Sequence, residues 1–348
     1  MRPTEIKLAL DVAFGVRLPV MMWGSPGIGK SEVVAQVAAS RGRTVRDIRL
    51  ALLDPTDLRG IPFYNPEKNT AEWAIASILP QDPDSTDVIF LDEINAAPPV
   101  IQAAAYQLVL DRRIGEYVLP DQVDIIAAGN REGDKAVTFK MPTPLLNRFI
   151  HLDFEVKFDD WYDWAVQNKV HEHVVGYLNH QKGKLNQFDP KSKSRGFPTP
   201  RSWVFVSRIL AGGHGTSSVL RGLIAGAVGE GAAIEFTTYR EIYLTLPDPA
   251  DVLSGKVKTM RDKDNLSACY AMITSLSYEL QAEFEKKQRS KAWLDMAAIY
   301  FDFIHDNFRP EFCVMGVRDC LKNMKLPMIQ APNWKSFAKD YTKLVMAA

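Results

Sequence analysis

Cysteine is scarce in this chain: 348 residues carry three, Cys269, Cys313 and Cys320. Their odd number and wide spacing exclude a disulfide framework and the paired spacing of a zinc site, and fit reduced thiols in a core. Net charge is absent as well. Lysine plus arginine and aspartate plus glutamate each number 42, so no overall field draws the chain onto nucleic acid, although a local basic patch would escape that count. No stretch approaches the roughly 20 consecutive apolar residues of a membrane span. The N-terminus, with Arg2, Glu5 and Lys7, has no long apolar run after it that would read as a signal peptide. A soluble, unprocessed, cytoplasmic protein is expected. With 46% apolar and 24% charged residues the composition is that of a globular chain rather than a disordered one. The length suits two domains, or one with a substantial extension.

Against this plain background one stretch stands out. Gly24-Ser25-Pro26-Gly27-Ile28-Gly29-Lys30-Ser31 fits the G-x-x-x-x-G-K-[ST] phosphate-binding loop without a mismatch. Glycines let backbone N–H groups close around phosphate oxygens, Lys30 brings a charge to the β- and γ-phosphates, and the Ser31 hydroxyl suits Mg²⁺. The flanks agree: Pro19–Trp23 reads as a short buried strand, and Glu32 to Ala39 as a helix whose N-terminal dipole favours an anion. A nucleoside triphosphate and Mg²⁺ are therefore the expected ligands.

Four further strands complete the pattern. Thr44 to Leu50 alternates enough to be one. Asp87-Val88-Ile89-Phe90-Leu91-Asp92-Glu93 is an apolar run ending in two carboxylates, as expected of a buried parallel strand whose C-terminal end faces the ligand crevice. Asp92 is placed to hold Mg²⁺ and Glu93 to orient and deprotonate the attacking water. Gln122 to Ala128 ends in Gly129-Asn130, where the Asn130 amide suits a hydrogen bond to that water or to the γ-phosphate. A last strand lies near Ile150 to Leu152. Arg148, just before it, lies beyond the strand ends and away from its own nucleotide, but is suited to a neighbouring subunit's site. Between these strands, Thr4 to Phe14 reads as a helix capped by Thr4 and stopped by Gly15, and another helix begins near Val100. Residues 61–64 and 70–74 read as a hairpin carrying Phe63, Tyr64 and Trp73, which either contacts a partner or packs back onto the domain. Arg112 to Val118 reads as a second hairpin.

From about residue 154 the texture turns helical, and a domain boundary is placed there. Residues 183–195 form a basic, serine-rich loop. Thr199-Pro200-Arg201 then opens a helix with Thr199 as N-cap, and a cation in that first turn opposes the dipole, which points to an anion held by Arg201. Helical segments continue over about 215–241, 264–287, 290–306, 310–323 and 333–346. His171 and His173 are two apart and share no helical face with each other, which disfavours a metal site there.

Taken together, GSPGIGKS, VIFLDEIN, AAGN, PLLNRF and TPRS resemble an AAA+ ATPase of the MoxR group, within the helix-2-insert clade that includes dynein-related and midasin-type modules. The resemblance covers roughly residues 5–255. It implies a P-loop NTPase αβα sandwich with a five-stranded parallel sheet over 1–153, a helical lid over 154–255 and a helical C-terminal extension over 256–348. Residues 54–80 are similar to the clade's helix-2 insert and 112–119 to its pre-sensor-1 hairpin. By the same resemblance Lys30 and Ser31 belong to Walker A, Asp92 and Glu93 to Walker B, Asn130 is sensor 1, Arg148 the arginine finger and Arg201 sensor 2. Arg131 stands where many MoxR members have proline, which marks a divergent subgroup. GFPTPRSW and LTLPDP resemble members paired with a von Willebrand factor A-like or metallopeptidase-like protein. The expected activity is ATP hydrolysis in a ring, a hexamer by resemblance, that remodels or activates a protein client. A nucleic-acid motor or restriction-type GTPase is the alternative: zero net charge weighs against it, and the basic loop keeps it open. A nucleotide-gated scaffold is disfavoured by the Asp92-Glu93 pair.

Overall fold

A computed structural model describes residues 1–134, 138–213 and 216–345. The ends of two expected helices, residues 215 and 346, lie outside the described residues. The chain divides into two units, Met1–Lys157 with Phe188–Ser192, and Phe158–Gln187 with Lys193–Ala348.

In the first unit the order is α1 (Pro3–Val16), β1 (Val20–Trp23), α2 (Lys30–Ser40), β2 (Val45–Arg49), α3 (Pro55–Arg59), β3 (Ile61–Asn65) and β4 (Thr70–Ala74). Next come β5 (Val88–Asp92), α4 (Pro99–Asp111), β6 (Arg113–Ile114), β7 (Tyr117–Val118), β8 (Asp124–Gly129), α5 (Thr143–Leu146) and β9 (Ile150–Asp153). Five strands form one parallel sheet in the order β2-β5-β8-β1-β9, while β3-β4 and β6-β7 are separate antiparallel ribbons. The fold is thus α/β, with a five-stranded parallel sheet followed by a helical C-terminal region.

The three inner strands β1, β5 and β8 read as largely apolar runs because both sheet faces are covered there, while the edge strands β2 and β9 carry exposed polar residues. Alternate residues face opposite cores. Met21, Ile89, Leu91, Ile125 and Ala127 join Ile101, Ala104 and Leu108 of α4 and Leu58 of α3 in one core. Val20, Met22, Val88, Phe90, Ile126 and Ala128 join Ile6, Leu10 and Phe14 of α1 and Val33, Val34 and Val37 of α2 in the other. This sandwich fixes the C-terminal ends of β1, β5 and β8 side by side.

The first helix departs from expectation at both ends. Thr4 is not its cap: Pro3 occupies the first helical position and the Arg2 backbone N–H is satisfied by Glu5 Oε2 at 3.0 Å. Gly15 does not stop it either. The helix runs on to Val16 because its apolar face continues into the core at Ala13 and Phe14, and it ends where Arg17 turns left-handed at φ 56°.

The second unit is all helical: α6 (Phe158–Gln167), α7 (Glu172–His180), α8 (Pro200–Gly212), α9 (Ser217–Val228), α10 (Glu230–Tyr243), α11 (Pro249–Leu253), α12 (Leu266–Lys287), α13 (Lys291–Asn307), α14 (Pro310–Arg318) and α15 (Trp334–Val345). Helices beyond residue 255 pack against earlier ones, α12 lying on both α7 and α10. Buried aromatics, among them Trp203, Tyr177, Phe236, Trp293, Tyr300 and Phe301, fill it. The expected helix over 310–323 is regular only to Arg318, after which Asp319–Asn323 widens into a π-turn. All three cysteines are free and buried. Burial pushes the Cys313 thiol up to about 11 and the Cys320 thiol up to about 12, so both stay protonated.

Candidate functional site

The loop after β1 owes its shape to glycine. A Cβ on Gly24 would meet Ile28 Cδ1 at 2.5 Å and the Phe154 carbonyl oxygen at 3.2 Å, so only glycine lets the loop lie this close to the chain beyond β9. The Gly24 N–H donates to the Gly129 carbonyl at 3.2 Å, which ties the loop to the end of β8. α2 then starts at Lys30, so that the positive end of its dipole lies at the loop.

Lys30 is only 9% exposed. Its ammonium donates to the Gly24 carbonyl at 2.5 Å, the Ser25 carbonyl at 3.1 Å and Asn130 Oδ1 at 3.3 Å. The charge is therefore held inside the loop by neutral carbonyl oxygens. A phosphate oxygen there would meet an ammonium already positioned and largely desolvated. Ser31 Oγ lies 3.4 Å from Asp92 Oδ2, bringing a hydroxyl and a carboxylate together beside the loop.

Glu93 leaves β5 in a left-handed conformation, φ 54°, with its side chain exposed and its N–H donating to Asp92 Oδ1 at 3.0 Å. For a residue other than glycine that conformation costs about 1 kcal/mol or more. The turn parts the two carboxylates, so that Asp92 stays against Ser31 and Glu93 points to solvent.

Asn95 is the site residue that sequence reasoning missed. It is 3% exposed. Its Nδ2 donates to the Asn130 carbonyl at 2.7 Å, and its Oδ1 accepts from the Asn130 N–H at 3.3 Å. This reciprocal pair fixes the Asn130 backbone, while Lys30 occupies Asn130 Oδ1, leaving Nδ2 of Asn130 as the donor offered to a ligand. Gly129 makes the approach possible, since a Cβ there would meet Asn95 Oδ1 at 2.6 Å and Met21 Cε at 2.6 Å. Gly129→Ala should destabilise the first unit by about 1–3 kcal/mol and lower ATP turnover by displacing Asn130. Thermal unfolding and steady-state ATPase assays check both effects. Asp134 also sits at the loop, accepting from Ser25 Oγ at 3.3 Å and from the Arg131 N–H at 3.2 Å.

The geometry gathers Gly24, Ser25, Pro26, Gly27, Ile28, Gly29, Lys30, Ser31, Asp92, Glu93 and Asn130 at one end of the sheet. Arg148 is elsewhere. The register sets Ile150 beside Val20 and Asp153 beside Trp23, so Arg148 precedes the N-terminal end of β9, at the end of the sheet opposite the loop. With a rise of about 3.3 Å per strand residue, the separation along the sheet exceeds roughly 10 Å. Its side chain is exposed and has no ion pair among the described residues. Arg201 belongs to the second unit, where it is the second residue of α8 and exposed. The start of that helix is capped as expected, Thr199 Oγ1 accepting from the Ser202 N–H at 3.1 Å.

Residues 19–151 match the ATPase family associated with various cellular activities (AAA). Midasin from Giardia intestinalis is 29% identical over 189 residues, a stretch that makes up 51% of this chain and 4% of midasin. The chain thus spans a small part of that relative. Among solved structures, one variant of Thermotoga maritima RuvB aligns at 13% identity over 97% of this chain and 86% of its own, with a TM-score of 0.37. Another aligns at 17% identity over 83% and 88%, with a TM-score of 0.39.

Proposed function

We propose that the chain, whose residues 19–151 match the AAA family of ATPases, is a MoxR-like ATPase whose subunits form a ring with shared sites and act on a protein client. The observation that carries this reading is the split of the site. Lys30 meets Asn130 and Ser31 meets Asp92 at one end of the sheet, where β5 also ends before Glu93, while Arg148 lies at the opposite end.

In this reading the loop N–H groups and Lys30 hold the β- and γ-phosphates of ATP. Asn130 Nδ2 donates to the γ-phosphate or to the attacking water, and Glu93 accepts a proton from that water. Ser31 and Asp92 offer hard oxygens, the donor type and number that suit Mg²⁺ shared with a substrate's phosphates. Bound there, Mg²⁺ would neutralise charge on the phosphate oxygens. Arg148 of a neighbouring subunit supplies the remaining positive charge, and Arg201, set against the dipole of α8, senses the nucleotide and couples it to the helical lid. We assign the lid to residues 154–255 and the extension to 256–348.

The β3-β4 ribbon is the surface best suited to the client. Phe63 is 47% and Tyr64 63% exposed, and Trp73 is 40% exposed. Phe63 shares one ribbon face with Glu72, its cross-strand partner, while Tyr64 and Trp73 share the other. A two-stranded ribbon that exposes aromatic groups on both faces is poorly stabilised in water alone. By resemblance the client is reached directly or through a von Willebrand factor A-like partner. The test is affinity capture by Glu93→Gln subunits held in ATP, with and without Phe63→Ser plus Trp73→Ser. Client retention should fall about tenfold in the ribbon variant, while its ATPase activity with Glu93 intact stays near wild type. Equal retention with and without the ribbon aromatics removes the ribbon from client binding, and capture of no protein contradicts the remodelling role.

A further inference from the structure

The second unit holds a cavity of about 530 Å³ whose lining includes none of the ATPase residues and owes nothing to their assignment. It is walled by α7, α10, α11 and α12 and by the segment leading into α7. Such a volume is that of a small-molecule or side-chain pocket and far exceeds a bare ion.

Its lining is acidic, with Glu172, Glu279 and Glu285 against a single basic residue, Lys169. Lys169 is already paired with Glu285 at 2.6 Å. Glu172 and Glu279 have no ion pair among the described residues. Burial, together with the charge of Glu279, pushes the Glu172 carboxyl above the usual range. Two like charges sharing a partly desolvated space, without a counterion, is an unfavourable arrangement that a cation would relieve.

The other groups restrict what that cation is. His171 is held neutral, its pKa pushed down to about 4 by burial and by the Arg240 charge. His173, pushed down to about 3 by burial, His171 and Arg240, accepts from Arg240 Nε at 3.1 Å. The imidazoles and Arg240 are therefore engaged with one another. Tyr243 packs its ring against His173 at 3.9 Å between centroids. Its hydroxyl is buried without a hydrogen bond of normal geometry, although it faces Glu172 and Ser275. It can accept a hydrogen bond from a donor-rich ligand. The Tyr278 hydroxyl donates to the Val170 carbonyl at 2.9 Å, which pins that ring as a wall. Carboxylates plus aromatic faces suit an ammonium or guanidinium on an aliphatic stem. Among the described residues no three His, Cys, Asp or Glu side chains are grouped to hold a metal ion.

We propose that this cavity binds an organic monocation, an ammonium or guanidinium group on a short aliphatic chain, between Glu172 and Glu279 and against Tyr243 and Tyr278. The group belongs either to a free amine or to a lysine or arginine side chain of a bound protein. Titration calorimetry on the full chain distinguishes these, using n-pentylamine as the free amine and acetyl-Gly-Arg-Gly-amide as the peptide, with 1,5-pentanediol as the uncharged control. One-to-one binding is expected for at least one cation and none for the diol. Affinity should fall about tenfold in Glu172→Gln and again in Glu279→Gln, two near-isosteric changes that serve as independent checks. Binding by n-pentylamine indicates a free amine; binding by the peptide alone indicates a protein side chain. Binding of neither cation, equal binding of the diol, or affinity unchanged in both variants overturns the assignment.

Discussion

Glutamine in place of Glu93 should lower ATP turnover by about 10²–10⁴-fold, the usual contribution of a positioned general base. ATP affinity should change by no more than about twofold, because Glu93 touches neither the loop nor Lys30. Its left-handed turn carries the carboxylate out of β5 while Asp92 remains 3.4 Å from Ser31. Glutamine keeps the size of the side chain and removes its basicity, so an effect on turnover alone isolates proton transfer. Single-turnover hydrolysis and equilibrium binding of a fluorescent ATP analogue separate the two quantities. Turnover within a few-fold of wild type would remove Glu93 from the chemistry and leave Asp92 as the carboxylate to examine.

Arg148→Ala should be as severe, about 10³-fold or more in turnover, the range associated with an arginine supplied to a phosphoryl-transfer site. Stability should change by less than about 0.5 kcal/mol, since the side chain is exposed and makes no ion pair among the described residues. Arg148→Lys should recover little, because a lysine lacks the planar fork that spans two phosphate oxygens. The combination is diagnostic. A residue at the far end of the sheet, where Ile150 rather than Asp153 neighbours β1's first residue, has no route to its own nucleotide, so a large loss of turnover there requires a second subunit.

Much of this site was legible in the sequence because its parts are local. The loop from Gly24 to Ser31 is contiguous, and the carboxylates of Asp92 and Glu93 and the amide of Asn130 stand directly after apolar runs that form β5 and β8. A buried strand ending in a polar residue is visible without knowing its neighbours. Asn95 was not legible, because its role rests on contacts with Gly129 and Asn130, far along the chain, and its own surroundings read as the start of a helix. The conformation of Glu93 was hidden for the same reason. The exposed ribbon aromatics were undecided in sequence, since packing inward and facing solvent give the same alternation; their exposure of 40–63% decides it. In the second unit the acidic lining of the cavity comes from α7 and α12, helices brought together only by the fold. Glu172 and Glu279 have no motif in common, and nothing in either helix alone marks them.

Each ATP site should be completed by Arg148 of a neighbouring subunit, and mixing two inactive variants tests this most directly. Arg148→Ala subunits keep Glu93, and Glu93→Gln subunits keep Arg148. Combined in equal amounts and allowed to exchange, they should form about a quarter of their interfaces with an intact Glu93 facing an intact Arg148. ATPase activity should then rise from near background to a sizeable fraction of wild type, and should follow the product of the two subunit fractions as the ratio is varied. Activity that stays at the average of the two separate variants at every ratio would contradict a shared site.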